Sequence, residues 1–131
     1  MAVLDGNSIS IGLDAAFRVA ASVVSAAGRH LHLECLQRDS LTVLPWFVDH
    51  RILRNMPTFA NYAYSAMDAH IESRAVQKSA CMLLRAIGMQ SFANKQMLFA
   101  GRLEEVCGRA RTLCGDDVNL NFLNSRFPSC L

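Results

Sequence analysis

The sequence predicts an all-α fold, and three observations support this prediction. Apolar residues recur at every third or fourth position, which is the period of a helix with one buried face. Strand patterns are nearly absent, and only three prolines interrupt the 131 residues. A chain of this length is expected to form one all-helical domain over residues 1–131, in which residues 116–131 are a partly irregular tail.

The N-terminal part predicts three helical segments. Polar residues at 7–10 can cap a first helix that stops near Gly28. A second segment is expected over residues 30–38. Asp39-Ser40 can cap a third segment over residues 41–48. Pro45 lies either at a helix start or at a break, because proline has no backbone N–H to continue a helix.

The central part carries the clearest helical pattern. Apolar residues from 51 to about 70 predict one helix, which Pro57 either kinks or begins as part of the first turn. Glu72-Ser73 form the next junction. Residues 74–88 then predict a strongly amphipathic helix that ends at Gly88.

The last predicted helix follows a short connector. Phe92, Met97, Leu98 and Phe99 supply the apolar side chains of this connector. Gly101 is expected to open the helix and Gly115 to stop it.

Three segments share an opening that indicates a repeat. They begin at residues 11, 50 and 100, which are 39 and 50 residues apart. Each has an aliphatic residue one or two places after its start and a large apolar residue three or four places later. These spacings bracket the roughly 40 to 47 residues of armadillo and HEAT units.

Residues 74–113 resemble the armadillo family. VQKSACMLLRAIG followed by NKQMLFAGRLEEV is similar to the family's long third helix, short first helix ending in Ala-Gly, and second helix. The resemblance implies a short armadillo/HEAT-like right-handed helical stack of two to three units that acts as a binding scaffold. Peptide-binding members bear a Trp and, four residues on, an Asn on the long helix, whereas Met82 and Ala86 stand here. The alternative architecture is a closed helical bundle of the same helices.

Composition limits the classes of partner. Hydrophobic residues make up 52% of the chain and charged residues 18%, so apolar surface is expected to remain for a protein partner. A net charge of +2 without a Lys/Arg run does not indicate nucleic acid binding. No apolar segment reaches the roughly 18 to 20 residues that span a bilayer. Five cysteines without a secretory signal favour a reducing intracellular compartment, either the cytoplasm or, because residues 15–30 are rich in Ala and Ser and lack acids, the mitochondrion.

No catalytic, metal or cofactor site is predicted. His30, His32 and Cys35 are the only cluster of metal-ligand residue types, and on a helix the two histidines would point about 200° apart. Cys35, Cys81 and Cys107 lie inside helical, apolar patterns. Burial on such a face leaves the thiols of Cys81 and Cys107 unreactive. The sequence therefore predicts a chain that is not an enzyme.

The predicted function is protein binding, as a scaffold, an adaptor or an accessory subunit of a larger assembly or homo-oligomer. Aromatic and basic residues supply the candidate interface, because Trp, Tyr and Arg carry much of the binding energy of protein interfaces. These residues are Trp46, Phe47, Tyr62, Tyr64, Arg74, Lys78 and Arg85.

The alternative function is a helical-bundle carrier or enzyme with an apolar ligand pocket between helices. Its expected lining residues are Met67, Met82, Met89 and Phe99.

Overall fold

The computed structural model describes residues 6–49, 56–115 and 118, with side chains described from residue 12 onward. Within these ranges every element of regular secondary structure is an α-helix, which confirms the all-α prediction. The six helices are α1 (Gly6–Arg29), α2 (Glu34–Asp49), α3 (Met56–Ala69), α4 (Arg74–Gln90), α5 (Phe92–Ala100) and α6 (Leu103–Cys114). No helix in the described part is long and apolar enough to cross a membrane.

Helix α2 differs from the prediction in both its start and its continuity. Residues 30–33 form the turn after α1, and α2 runs unbroken to Asp49, so the predicted second and third segments are one helix. Ser40, predicted to cap a new helix, is buried within α2. The apolar positions Leu41 and Leu44 continue one buried face across this point, and tertiary packing there outweighs the local capping preference of serine.

The helices around α4 begin and end with side-chain and glycine caps. Ser73 accepts a hydrogen bond from the backbone N–H of Val76 at 3.2 Å, which confirms the predicted junction before α4. Pro57 lies in the first turn of α3, one of its two predicted positions. Residues 51–55 of the helix predicted over 51–70 lie outside the described residues.

The connector after α4 is itself helical. The apolar pattern predicted only a connector here, whereas the family resemblance implied a short helix that ends in Ala-Gly. Ser91 caps α5 by accepting from the backbone N–H of Asn94 at 3.0 Å. Gly101 ends α5 instead of opening α6, because its N–H donates to the carbonyl of Leu98 at 3.1 Å. Gly115 ends α6 as predicted, with a φ of 61° that favours glycine.

The six helices pack around one core, in which α4 contacts α2, α3, α5 and α6. Neighbours in sequence contact each other in the pairs α1–α2, α3–α4 and α5–α6. Across the pairs, α2 packs on α4 and α4 on α6, while α1 packs on α3 and α3 on α5. The most extensive contact joins α2 to α4. The largest fully buried apolar side chains are Leu41, Leu44, Phe59, Met67, Leu83, Leu84, Ile87, Leu98 and Leu103.

The same hydrogen-bond arrangement closes the first two helix pairs. The side-chain amide of Gln37 donates to the carbonyls of Ala27 and His30 at 3.0 and 2.8 Å. Gln77 donates to the carbonyls ten and seven residues before it, also at 3.0 and 2.8 Å. Both glutamines are buried. The hydroxyl of Tyr62 donates to Gln37 Oε1 at 2.6 Å, whereas Gln77 Oε1 has no hydrogen-bond partner among the described residues.

The segments predicted to share a repeat opening occupy different positions in the helices. Residues 11–17 lie inside α1, whereas residues 100–106 span the end of α5, a turn and the start of α6. Most of residues 50–56 lies outside the described part. The spacing that the hydrogen bonds show is instead the 40 residues between Gln37 and Gln77.

Candidate protein interface on helices α2 and α4

Large apolar side chains lie exposed on the outward faces of α2 and α4. Val43 and Trp46 of α2 are 47% and 51% exposed, and Met82 and Met89 of α4 are 61% and 59% exposed. The positions between them, such as Leu44, turn inward to the core. Helices α2 and α4 pack side by side. The surface along this contact that carries Trp46, Met82 and Met89 is here called the α2–α4 face.

A groove of about 430 Å³ lies on this face and is here called the α2–α4 groove. The small side chain of Ala86 leaves room in this groove. Ala86 follows Trp46 by 40 residues, which is the same spacing as that between Gln37 and Gln77. The groove is lined by Pro45, Val48 and Asp49 from α2 and by Met82, Arg85, Ala86, Met89 and Gln90 from α4.

The polar side chains of the groove differ in their engagement. Gln90 Nε2 donates to the carbonyl of Val48 at 3.1 Å, and Gln90 Oε1 accepts from Asn94 Nδ2 at 3.0 Å. Its amide is therefore committed to holding α2, α4 and α5 together. Arg85 and Asp49 have no ion-pair partner among the residues that the structure describes. The groove thus carries two opposite charges on different helices that do not neutralise each other.

Four of the predicted interface residues lie on this face. Trp46 is half exposed and next to the groove residue Pro45. Arg74 and Lys78 are exposed, and Arg85 is partly buried in the groove wall. Spacings of four and seven residues place the three cations on one side of α4.

Phe47, the fifth predicted residue, is partly buried. It packs against the core and meets the Trp46 ring edge-to-face with a centroid separation of 5.1 Å. Phe47 therefore packs between Trp46 and the core and exposes less of its own side chain to a partner.

Tyr62 and Tyr64 are buried in the folded chain, each only 5% exposed. Burial raises the pKa of both phenols to about 12. The hydroxyl of Tyr64 has no hydrogen-bond partner in the described part. These two residues, predicted as interface anchors, instead belong to the core, because α3 is covered by α1, α4 and α5.

An ion-pair cluster joins the end of α3 to the start of α6, and the sequence did not predict it. Asp68 accepts from two nitrogens of Arg102, at 2.5 and 3.0 Å, and from Arg109 at 2.8 Å. Glu105 accepts from Arg102 at 2.8 and 3.1 Å. Hydrogen bonding by Arg102 lowers the pKa of Asp68 to about 2. Glu105 also lies in the first turn of α6, where a carboxylate interacts favourably with the positive end of the helix dipole.

The cysteines divide into buried and exposed thiols. Cys81 and Cys107 are buried, as their apolar pattern predicts, and so is Cys114. A hydrogen bond with Cys107, together with burial, raises the pKa of the Cys81 thiol. Cys35 is exposed, so its predicted place on an apolar face is wrong. No cluster of three or more His, Cys, Asp or Glu residues that could hold a metal occurs in the described ranges.

The side chains expected to line an apolar ligand pocket do not meet in one cavity of the described structure. Met67 is fully buried in the core, and Phe99 is partly buried against it. Only Met82 and Met89 line the α2–α4 groove, where both are more than half exposed. The groove is therefore an open surface feature of the helix pair.

Comparison of the chain with protein-family models, with curated proteins and with solved structures gives no match. The geometry of the described residues is the basis for assigning a function.

Proposed function

We propose that this chain is a non-catalytic protein–protein interaction module, a scaffold, adaptor or accessory subunit of a larger assembly, which binds its partner through the α2–α4 face. The exposed side chains of Met82 and Met89 in the α2–α4 groove, together with the half-exposed Trp46 beside it, are the observation that carries this proposal. Apolar surface in contact with water costs roughly 25 cal/mol per Å² relative to burial. A partner that covers these side chains recovers that free energy.

The same surface has the composition of an interface hot spot. Trp46 is the only tryptophan of the chain, and it stands half exposed with Phe47 supporting its ring. Trp and Arg are enriched among residues that dominate binding energy. Arg85 borders the groove, and Arg74 and Lys78 extend the positive charge along α4.

We further propose the finer architecture, an armadillo/HEAT-like stack of helix pairs. Two observations support it: pairs adjacent in sequence pack on each other, and Gln37 and Gln77 close their turns identically. In addition, the His70 ring donates to the carbonyl of Leu31 at 2.6 Å, which joins the turn of the first pair to that of the second. Each such unit buries its apolar face only against neighbours, so a stack this short gains from a partner.

A matched pair of variants tests the protein-binding function. The test variant combines Met82→Ser with Met89→Ser on the α2–α4 face. The control combines Val19→Ser with Leu13→Ser on α1, where the side chains are 54% and 41% exposed. Each tagged chain is isolated from its native cells, and size-exclusion chromatography with light scattering gives the mass of the complex.

We expect wild type and control to elute well above the 14.4 kDa of the single chain and the test variant to elute as a monomer. A wild-type chain that is monomeric throughout would refute the proposed function. Equal masses for test and control variants would refute the assignment to the α2–α4 face.

A further inference from the structure

Resting on the proposed function, we infer that the α2–α4 groove receives an amphipathic α-helix of the partner protein, whose acidic side chain binds Arg85. The groove residues indicate both the backbone conformation and the charge of this occupant. An extended peptide needs hydrogen-bond partners in the groove for its backbone, whereas a helix does not. An acidic helix would pair with the arginine on the α4 wall, and a basic helix with the aspartate on the α2 wall.

The groove is poorly suited to an extended peptide. Extended backbone exposes N–H and C=O groups that must find partners when they are buried. The side-chain amide of Gln90 is engaged at both ends, by Val48 and by Asn94. Arg85 and Asp49 offer one donor group and one acceptor group on opposite walls, which is fewer than the N–H and C=O groups that every residue of an extended backbone presents. A helix satisfies its own backbone hydrogen bonds, so it presents only side chains to the groove.

The separation of Met82 and Met89 along α4 matches the spacing of apolar side chains on a partner helix. They lie seven residues apart on one face of α4, which is two turns or about 10.5 Å. Apolar side chains at positions i, i+4 and i+7 of a partner helix cover the same length. Methionine is unbranched and flexible, so the two side chains can adapt to the ridge that enters between them.

Arg85 selects an acidic helix. Its side chain is partly buried, and it has no ion-pair partner among the described residues. A carboxylate forms bidentate hydrogen bonds with guanidinium, and low local polarity strengthens such a pair. Arg74 lies on the same side of α4 and adds positive potential. Asp49 stands on α2, so its charge repels a carboxylate from that wall and leaves the α4 wall as the acidic position.

Two synthetic helical peptides of about five turns serve as probes. Both carry Leu at every third or fourth position; one has Glu on the flanks of the Leu stripe, and its twin has Lys at the same places. Binding to the full chain is followed by the fluorescence of Trp46, the sole tryptophan. Wild type is compared with Arg85→Glu and with a control of equal charge change, Arg111→Glu, at an exposed arginine of α6 outside the groove.

We expect wild type to bind the Glu peptide about tenfold more tightly than the Lys peptide, and Arg85→Glu to reverse this order. Arg111→Glu should keep the wild-type order, and added salt should weaken only the Glu peptide. Equal affinity for both peptides, or a preference that Arg85→Glu leaves unchanged, overturns the inference while the α2–α4 face remains a protein interface. Absence of binding to either peptide also overturns it, and the complex-mass experiment then decides separately whether the chain binds proteins at all.

Discussion

The repeated glutamine arrangement provides the sharpest prediction, because two similar side chains differ in one hydrogen bond. Gln37 donates two hydrogen bonds and accepts one from Tyr62, whereas Gln77 donates two and its Oε1 has no partner among the described residues. Both are fully or almost fully buried. Substitution by methionine keeps the length of the side chain and removes only the amide.

The expected costs follow from hydrogen-bond energies of about 1 kcal/mol each. Gln37→Met loses three bonds and should lower the free energy of unfolding by about 3 kcal/mol. Gln77→Met loses two bonds but removes a buried acceptor without a partner, which offsets about 1 kcal/mol, so its net cost should be about 1 kcal/mol. Tyr62→Phe should cost about 1 kcal/mol in the wild type and less in the Gln37→Met background, where the Tyr62 hydroxyl keeps only its hydrogen bond with Ser40.

Urea denaturation followed by far-UV circular dichroism and by Trp46 fluorescence measures these values, and coincident curves establish two-state behaviour. Gln96→Met, at an exposed site on α5, is the control and should change stability by less than about 0.5 kcal/mol. Equal costs for Gln37→Met and Gln77→Met would refute the assigned role of the Tyr62 bond. A cost below about 0.5 kcal/mol for both would refute the view that the amides stabilise the helix pairs.

Three further predictions concern charge, thiols and glycine. Asp68→Asn should lower the free energy of unfolding by about 0.5–1 kcal/mol at pH 7, a modest value because the side chain is 41% exposed. The folded pKa of about 2 lies below the ordinary aspartate pKa of 3.8, so this contribution is complete above about pH 4 and lost as the pH falls through 2. An equal loss of stability at pH 7 and at pH 2 in urea denaturation would contradict it. Iodoacetamide labelling with peptide mapping should modify Cys35 in the folded chain and leave Cys81 unmodified until urea is added, since only the former is exposed; early labelling of Cys81 would exclude the buried assignment. Gly115→Ala should lower the free energy of unfolding by about 1–2 kcal/mol, because the φ of Gly115 is 61°. Gly108→Ala should raise it by about 0.5–1 kcal/mol, because the backbone there is helical and nothing lies within 4 Å of the added Cβ. Thermal unfolding that ranks the two variants in the opposite order would refute the backbone argument.

Helix existence could be predicted from the sequence because α4 and α6 bury every third or fourth residue and leave the others in water. Boundaries failed where packing overrode local preference: Ser40 and Asp39 resemble a cap, yet the buried face of Leu41 and Leu44 carries α2 through them. The connector at Phe92 was missed by the apolar pattern because a nine-residue helix spans too few turns to display a period.

The candidate interface was predictable only in part. Trp46 and the cations of α4 lie on the polar or mixed side of their helices. Their exposure could therefore be predicted from the amphipathic pattern of one helix alone. Tyr62 and Tyr64 were misplaced because α3 is covered on more than one side, and no single-helix pattern shows which neighbours will cover it. Asp68 and Arg102 are 34 residues apart in sequence, so their pairing depends on how α3 and α6 meet.

The reach of Gln37 has a consequence for the order in which the chain folds. Its amide bonds carbonyls only seven and ten residues back, so the loop that it closes is short and its closure costs little entropy. The bond from Tyr62 lies 25 residues ahead and forms only after the following helix has docked. Gln37 thus takes part first in closing a local loop and then in docking a later helix. This order of events suits a chain that emerges from the ribosome beginning with its N-terminus.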